Sequence, residues 1–245
     1  MDEKLYTIPV NDAFDKDCEC PICAMYNVLE NDAIDYTMGP SYMEDDVRAE
    51  TDRLGFCKEH IRMLSEQKNK LGLALILTTH FQKTVKDVEK FGKNPMKPRS
   101  LFKKEESPIL TYLDKLNGSC FVCERINRVF GRYIATVIQL YKTDAAFRKK
   151  YEGSKGFCNQ HYADLLRAAQ SSMSGSQFEE FVRLTTRLYL DNMNRLAEDL
   201  SWFVDKNDYR NIDAPWKNSK DAIPRAMIKS NGVLKEDTIV VSRQS

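Results

Sequence analysis

Cys120-Phe-Val-Cys-Glu-Arg-Ile-Asn-Arg-Val-Phe-Gly-Arg-Tyr-Ile-Ala-Thr-Val-Ile-Gln-Leu-Tyr141 decides how this chain is read. Ile126, Val129, Phe130, Tyr133, Ile134, Val137, Leu140 and Tyr141 step by three and four, which lays one apolar stripe along a helix. The first four residues of the stretch are a CxxC pair placed at that helix's start. Side chains at i and i+3 share a helix face and can converge on one ion, so the pair is half of a tetrahedral metal site.

The other half follows as Cys158-Asn-Gln-His161, and the same arrangement occurs earlier as Cys20-Pro-Ile-Cys23 and Cys57-Lys-Glu-His60. The internal gaps are 33 residues between Cys23 and Cys57 and 34 between Cys123 and Cys158, and both second pairs read Gly-Phe-Cys-x-x-His. A gene duplication is the simplest account. The expected ligand sets are therefore Cys20, Cys23, Cys57 and His60 in one copy and Cys120, Cys123, Cys158 and His161 in the other. Three thiolates and one imidazole suit zinc, giving two Zn2+ ions, one per repeat; an iron-sulfur cluster is the rival. Four protein ligands leave zinc no open coordination position, so the sites read as structural.

The same periodicity runs through most of the chain, and the expected fold class is all-α. Met25, Val28, Leu29 and Ala33 continue the first CxxC as a helix broken at Gly39-Pro40, and Pro21 suits a first helical turn. Ser41-x-x-Glu44 has the form of a capping box opening the next helix, which should end near Gly55; Gly153 to Gly156 is the matching turn. A long amphipathic helix should follow each CxxH. In the first copy its apolar face is Ile61, Leu64, Leu71, Leu75, Thr78, Phe81, Val85 and Val88. In the second it runs from Leu165 to Phe203, interrupted at Ser171 to Ser176. The only alternating run is Thr238 to Val241.

These elements make a first repeat over 1–92, a linker over 93–108 and a second repeat over 109–206, packed as one bundle-like unit, then a C-terminal tail over 207–245. The linker region, Gly92 to Pro108, carries three prolines and five basic residues, Lys93, Lys97, Arg99, Lys103 and Lys104, and reads as a solvated tether. The tail is polar and irregular, with one short helix from Asp221 to Lys229, and wraps back through Tyr209 and Trp216 or waits for a partner.

Composition sets outer limits. No secretory or transit signal is visible at Met1-Asp-Glu-Lys, and the longest apolar run, Leu71 to Leu77, is too short for a bilayer. Seven cysteines without an export signal point to a reducing, cytoplasmic setting. The formal charge is +1; six thiolates and two divalent ions would make it −1, so neither nucleic acid nor membrane is an expected partner. Cys18, matched by Gly118, and His80 read as ordinary side chains outside the ligand sets. Tyr42, Glu44, Asp45 and Asp46 concentrate acid and aromatic groups in one copy, and read as a solvated helix start or, alternatively, an acid/base site.

The chain resembles a bacterial family catalogued as domain of unknown function 6062. The resemblance rests on Lys4-Leu-Tyr-Thr-Ile-Pro-Val10, Cys20-Pro-Ile-Cys23, Met38-Gly-Pro-Ser-Tyr-Met-Glu-Asp-Asp-Val-Arg48 and both Gly-Phe-Cys-x-x-His elements. It continues in Asp208-Tyr-Arg-Asn211, Pro215-Trp216 and Asp221-Ala-Ile-Pro-Arg225. It covers nearly the whole chain and implies no activity, though it gives the Tyr42 to Arg48 segment some weight as a functional surface. The reading that follows is a cytoplasmic zinc-binding helical protein, a binding or regulatory module for an unidentified protein or small molecule rather than an enzyme. A thiol and zinc redox sensor using Cys18, and an enzyme built on Tyr42 to Asp46, are the alternatives.

Overall fold

The computed structural model describes residues 3–93 and 107–232. Among these residues every regular element is helical: α1 Glu3–Phe14, α2 Pro21–Met38, α3 Asp45–Leu54, α4 Lys58–Glu66, α5 Lys70–Gly92, α6 Pro108–Asn117, α7 Phe121–Thr143, α8 Ala145–Glu152, α9 Asn159–Ser172, α10 Gly175–Lys206 and α11 Ala222–Asn231, with 3-10 turns at Pro40–Met43 and Tyr209–Asn211. The alternating run at 238–241 and most of the linker, 94–106, lie outside the described residues.

The chain divides into two compact units, and these are not the two sequence repeats. One comprises residues 1–28 and 130–245, the other residues 29–129, so the divisions fall inside α2 and α7. Each unit combines the CxxC pair of one repeat with the CxxH pair of the other.

In the first unit the core is aromatic. Phe14 of α1 meets Phe147 of α8 at 4.9 Å between ring centroids, Tyr151 meets Phe157 at 5.1 Å, and Tyr141 of α7 meets Phe181 of α10 at 4.9 Å. All of these rings are buried, and such edge-on and tilted pairs add to the burial of large apolar area. The Tyr151 hydroxyl is satisfied at 2.8 Å by Thr185, so its burial leaves no polar atom orphaned.

The tail folds back on this unit as far as residue 232. Trp202 donates its indole N–H to the Pro215 carbonyl at 3.0 Å, and Lys206 donates to the carbonyls of Asn211 and Ile212 at 2.9 and 2.6 Å. Phe203 and Trp216 lie 5.7 Å apart, and α11 packs on α9 and α10. Trp216 thus takes the part foreseen for it. Tyr209, 83% exposed, takes none.

The second unit is built on α3 packed against α5. The single long helix expected behind His60 is two helices, because Asn69 restarts the chain: its side-chain oxygen accepts from the Gly72 amide at 2.9 Å while its amide donates to the Met38 carbonyl. The restart shifts the register, so Leu73 and Ile76 are buried while Leu71, Phe81 and Val85, placed on the apolar face by sequence, are exposed. Ser41 does not cap α3 either. It sits in the 3-10 turn after Gly39-Pro40, where its hydroxyl donates to the Tyr36 carbonyl at the open end of α2, and Glu44 becomes the N-cap residue without a side-chain bond.

Candidate metal centres

The eight ligand candidates converge in two foursomes, with the pairs exchanged relative to the sequence reading. Cys20 and Cys23 meet Cys158 and His161; Cys57 and His60 meet Cys120 and Cys123. Within each foursome the donor atoms all lie within 4.8 Å of one another. The eight residues of the expected sets, Cys20, Cys23, Cys57 and His60 against Cys120, Cys123, Cys158 and His161, thus gather four by four, but the expected pairing is wrong: the CxxC pair of each repeat meets the CxxH pair of the other. Near-equal spacing in the two repeats cannot distinguish pairing within a repeat from pairing across repeats.

Each pair is delivered by a helix start. Cys57 and Cys158 are the N-cap residues of α4 and α9, with His60 and His161 three residues on. Cys20 and Cys120 stand just before α2 and α7, their carbonyls accepting from Ala24 and Glu124. The Cys158 sulfur accepts from the His161 amide, and the Cys120 sulfur from the Cys123 amide, both at 3.5 Å. Free amides and the positive helix end favour thiolate at these positions. Gly55 and Gly156, at φ 57 and 75, turn the chain into the CxxH pairs.

The donor set fits a single tetrahedral ion. The Cys23 and Cys158 sulfurs are 3.7 Å apart and those of Cys57 and Cys123 4.0 Å, close to the roughly 3.8 Å that zinc–sulfur bonds of about 2.3 Å require. Both histidines present Nδ1, at 3.3 Å from the Cys57, Cys120 and Cys123 sulfurs in one centre and 3.2 to 3.6 Å from those of Cys20, Cys23 and Cys158 in the other. These donors are close enough to one another to share one ion.

The electrostatics of the bare side chains point the same way. At the first centre, hydrogen bonds from Cys20 and Cys23 pull the Cys158 thiol down, while those with Cys158 and Cys20 push the Cys23 thiol far up. At the second, burial is the largest single influence on Cys120 and opposes its ionisation, but the His60 hydrogen bond, the backbone amides of Cys123 and Cys57 and the His60 charge together outweigh it, bringing it to about 6; burial and the Cys120 charge push Cys123 up. Each foursome thus accommodates a first thiolate and opposes a second, an opposition a divalent cation would remove.

The surroundings of the centres differ. At the second, the Glu30 carboxylate, nearly buried, lies 3.1 Å from His60 Nε2, an outer partner that fixes the tautomer leaving Nδ1 to bind. Cys57 and Cys123 there are half-buried, whereas all four donors of the first centre are buried. The junctions are tied directly at the second centre: Ser119 donates to the Leu54 carbonyl at 2.7 Å and the Phe121 amide to Gly55 at 2.9 Å. At the first centre the tail does this work. The ammonium of Lys229, 1% exposed, donates to the carbonyls of Glu19 and Lys155, the residues leading into Cys20 and Gly156-Phe157-Cys158. The buried Glu19 carboxylate lies 2.5 Å from Arg195, 3.7 Å from Lys229 and 3.8 Å from Arg225. No sequence signal marks Lys229 or Glu30, since each acts through a fold-dependent contact.

The remaining candidates stand apart. Cys18 is half-buried outside both foursomes, and burial together with the Cys20 charge pushes its thiol up to about 11. His80 lies against Gly55, with Nδ1 3.0 Å from the Asp52 carbonyl, a packed histidine. Glu44, Asp45 and Asp46 are exposed, and Asp46 accepts from the Val47 amide at the α3 start.

A helical protein with two Cys3His centres, each fit to hold a metal ion, is what fold and site define. Over residues 1–237 the chain matches the family described as Family of unknown function (DUF6062), and it belongs to that family. No curated protein and no solved structure matches it. Among the described residues, no helix is long and apolar enough to cross a membrane.

Proposed function

We propose that this chain is a cytoplasmic binding or regulatory module in which Cys20, Cys23, Cys158 and His161, and Cys57, His60, Cys120 and Cys123, each hold one structural zinc ion. Its carrying observation is the closed donor set, three sulfurs and one nitrogen within 4.8 Å, in both centres. When bound, zinc supplies no redox chemistry and, with four protein ligands, no open position; its contribution is to join helix starts remote in sequence. Zinc binding of this kind contributes on the order of 10 kcal/mol, comparable to the whole stability of a domain. The near-identical Gly-Phe-Cys-x-x-His elements support a duplication in which the ligand pairs became exchanged. Exposure of Glu44, Asp45 and Asp46 weighs against an enzyme built on that segment.

Elemental analysis of anaerobically purified protein, with its absorption spectrum, tests this: two zinc ions per chain and no visible charge-transfer bands are expected, and chelation should unfold the chain. Iron with visible bands, or a helical and stable apo-protein at neutral pH, overturns it.

The half-buried Cys57 and Cys123 favour a second reading, a peroxide-responsive centre. Two thiolates would form a disulfide while peroxide is reduced to water and zinc is released. Reversible loss of one zinc under mild peroxide, reversed by a thiol reductant, is the expected result; metal release only under unfolding conditions excludes it. Cys18 is a poor sensor because burial keeps it protonated.

A further inference from the structure

Two family-pattern residues of the tail, Asp221 and Arg225, line a cleft. Its volume is about 460 Å³, within the range of small-molecule sites, and its wall includes Lys155, Arg195, Lys217, Lys220 and Arg225. Asp199 and Asp221 are the carboxylates among its lining residues, and Glu19 and Asp17 pair with its Arg195 and Lys155 from outside the lining, which leaves Lys217 and Lys220 as the cations without a carboxylate among the described residues.

The cations fall into two groups. Arg225 is held by Asp199 at 2.9 Å and Asp221 at 2.9 Å, Arg195 by Glu19 at 2.5 Å and Lys155 by Asp17 at 2.5 Å, so these are anchored and oriented. Lys217 and Lys220 are exposed, and among the described residues neither has an ion-pair partner. Lys217 is also the non-glycine residue with positive φ, 51°, among those described, a conformation that L-residues seldom adopt and that ligand sites often retain. It places the ammonium 3.7 Å from the centre of the Trp202 ring. The loop carrying both lysines is fixed from beneath: Ser219 is fully buried and donates to the Trp216 carbonyl at 2.7 Å, and Asp221 begins α11 at the cleft wall. Two ammoniums without a carboxylate partner among the described residues, one of them resting on Trp202, share the cleft with guanidiniums that carboxylates orient, a recognition surface for concentrated negative charge.

We infer that this cleft binds a small, multiply charged anion through Lys217 and Lys220, a phosphate-bearing or polycarboxylate molecule. This deepens the binding-module reading and rests on it for the ligand's being a bound effector rather than a substrate. The lining residues are all charged or amide-bearing, which suits a hydrophilic ligand, and phosphates and carboxylates share the geometry that guanidinium and ammonium donors satisfy.

The two tryptophans of the chain, Trp202 and Trp216, both belong to this region and report on it. Purified, metal-loaded protein is titrated at low salt with pyrophosphate and, separately, with citrate, following tryptophan fluorescence and heat, with zinc measured on the same samples. Saturable binding to either anion is expected, the responding anion naming the group. Lys217→Gly, which suits the positive φ, combined with Lys220→Gln, should weaken it by about tenfold or more while zinc content and helicity stay unchanged. Response to neither anion, or an equal response in the double variant, overturns the inference. Zinc content tests the metal centres independently: absence of anion binding with two zincs in place refutes the cleft alone.

Discussion

The sulfurs of Cys23 and Cys158 lie 3.7 Å apart although 135 positions separate them in the chain. Exchange of this kind is testable by metal counting. Cys20→Ser with Cys158→Ser removes two donors from one centre and should leave one zinc per chain. Cys20→Ser with Cys57→Ser cripples both centres and should leave none. Pairing within each repeat would give the reverse ordering, so elemental analysis of the two double variants separates the arrangements.

Lys229 joins the two junctions of the first centre from a distant helix, and its ammonium is buried. Lys229→Met keeps the aliphatic bulk but leaves two carbonyls without their donor, costing about 1–3 kcal/mol. For a chain of this size that is a fall in Tm of roughly 2–4 °C per kcal/mol. Competition with a chelator should show weakening of the first centre alone. At the second centre, Ser119→Ala removes one neutral hydrogen bond and should cost about 1 kcal/mol.

Glu30→Gln keeps the size of the group facing His60 Nε2 and removes its charge. Loss of an outer partner of this kind lowers metal affinity by about 10–100-fold. The decrease should be confined to the centre of Cys57, His60, Cys120 and Cys123, read as one zinc passing early to a chelator while the other stays.

Glycines with positive φ differ in what a methyl group would meet. At Gly175 nothing lies within 4 Å, so Gly175→Ala should cost only the backbone penalty of about 1–2 kcal/mol. At Gly156 a Cβ would stand 2.9 Å from the Leu188 carbonyl oxygen, which belongs to a helix backbone and cannot swing away. Gly156→Ala should therefore cost about 1–3 kcal/mol more than Gly175→Ala in thermal melts.

Cys18 should be a slow nucleophile in the folded chain. Its pKa, raised from 9.0 to about 11, means that burial stabilises the neutral thiol. The penalty appears only on ionisation, so alkali above about 9 progressively destabilises the fold at this residue until the folded pKa is passed. Alkylation of metal-loaded protein near pH 8 should modify Cys18 much more slowly than the unfolded chain, with the rate rising steeply in alkali.

Much of this is legible in the sequence. The stripe on α7 and the CxxC and CxxH pairs carry the helical class and all eight donors, because periodicity and ligand spacing are local properties. The helix α1 is hidden because Pro9 interrupts a short segment whose burial depends on Val10, Ala13 and Phe14 finding the aromatic core. The register of α5 escapes a local reading because Asn69 restarts it through a bond to Met38, a residue 31 positions away. Pairing of the half-sites is illegible for the same reason, since tertiary packing chooses between equally spaced partners.

Exchanged half-sites also impose a timetable on biogenesis. Cys20 and Cys23 leave the ribosome well before Cys158 and His161, a delay of roughly 7–28 s at 5–20 residues per second. Through most of that interval Cys57 and His60 are already available, so a complete but wrong quartet can form around the first ion to arrive. Any ion held by that early quartet would have to be surrendered before the exchanged pairing could form, and the rate of that surrender would then limit how quickly the mature topology accumulates.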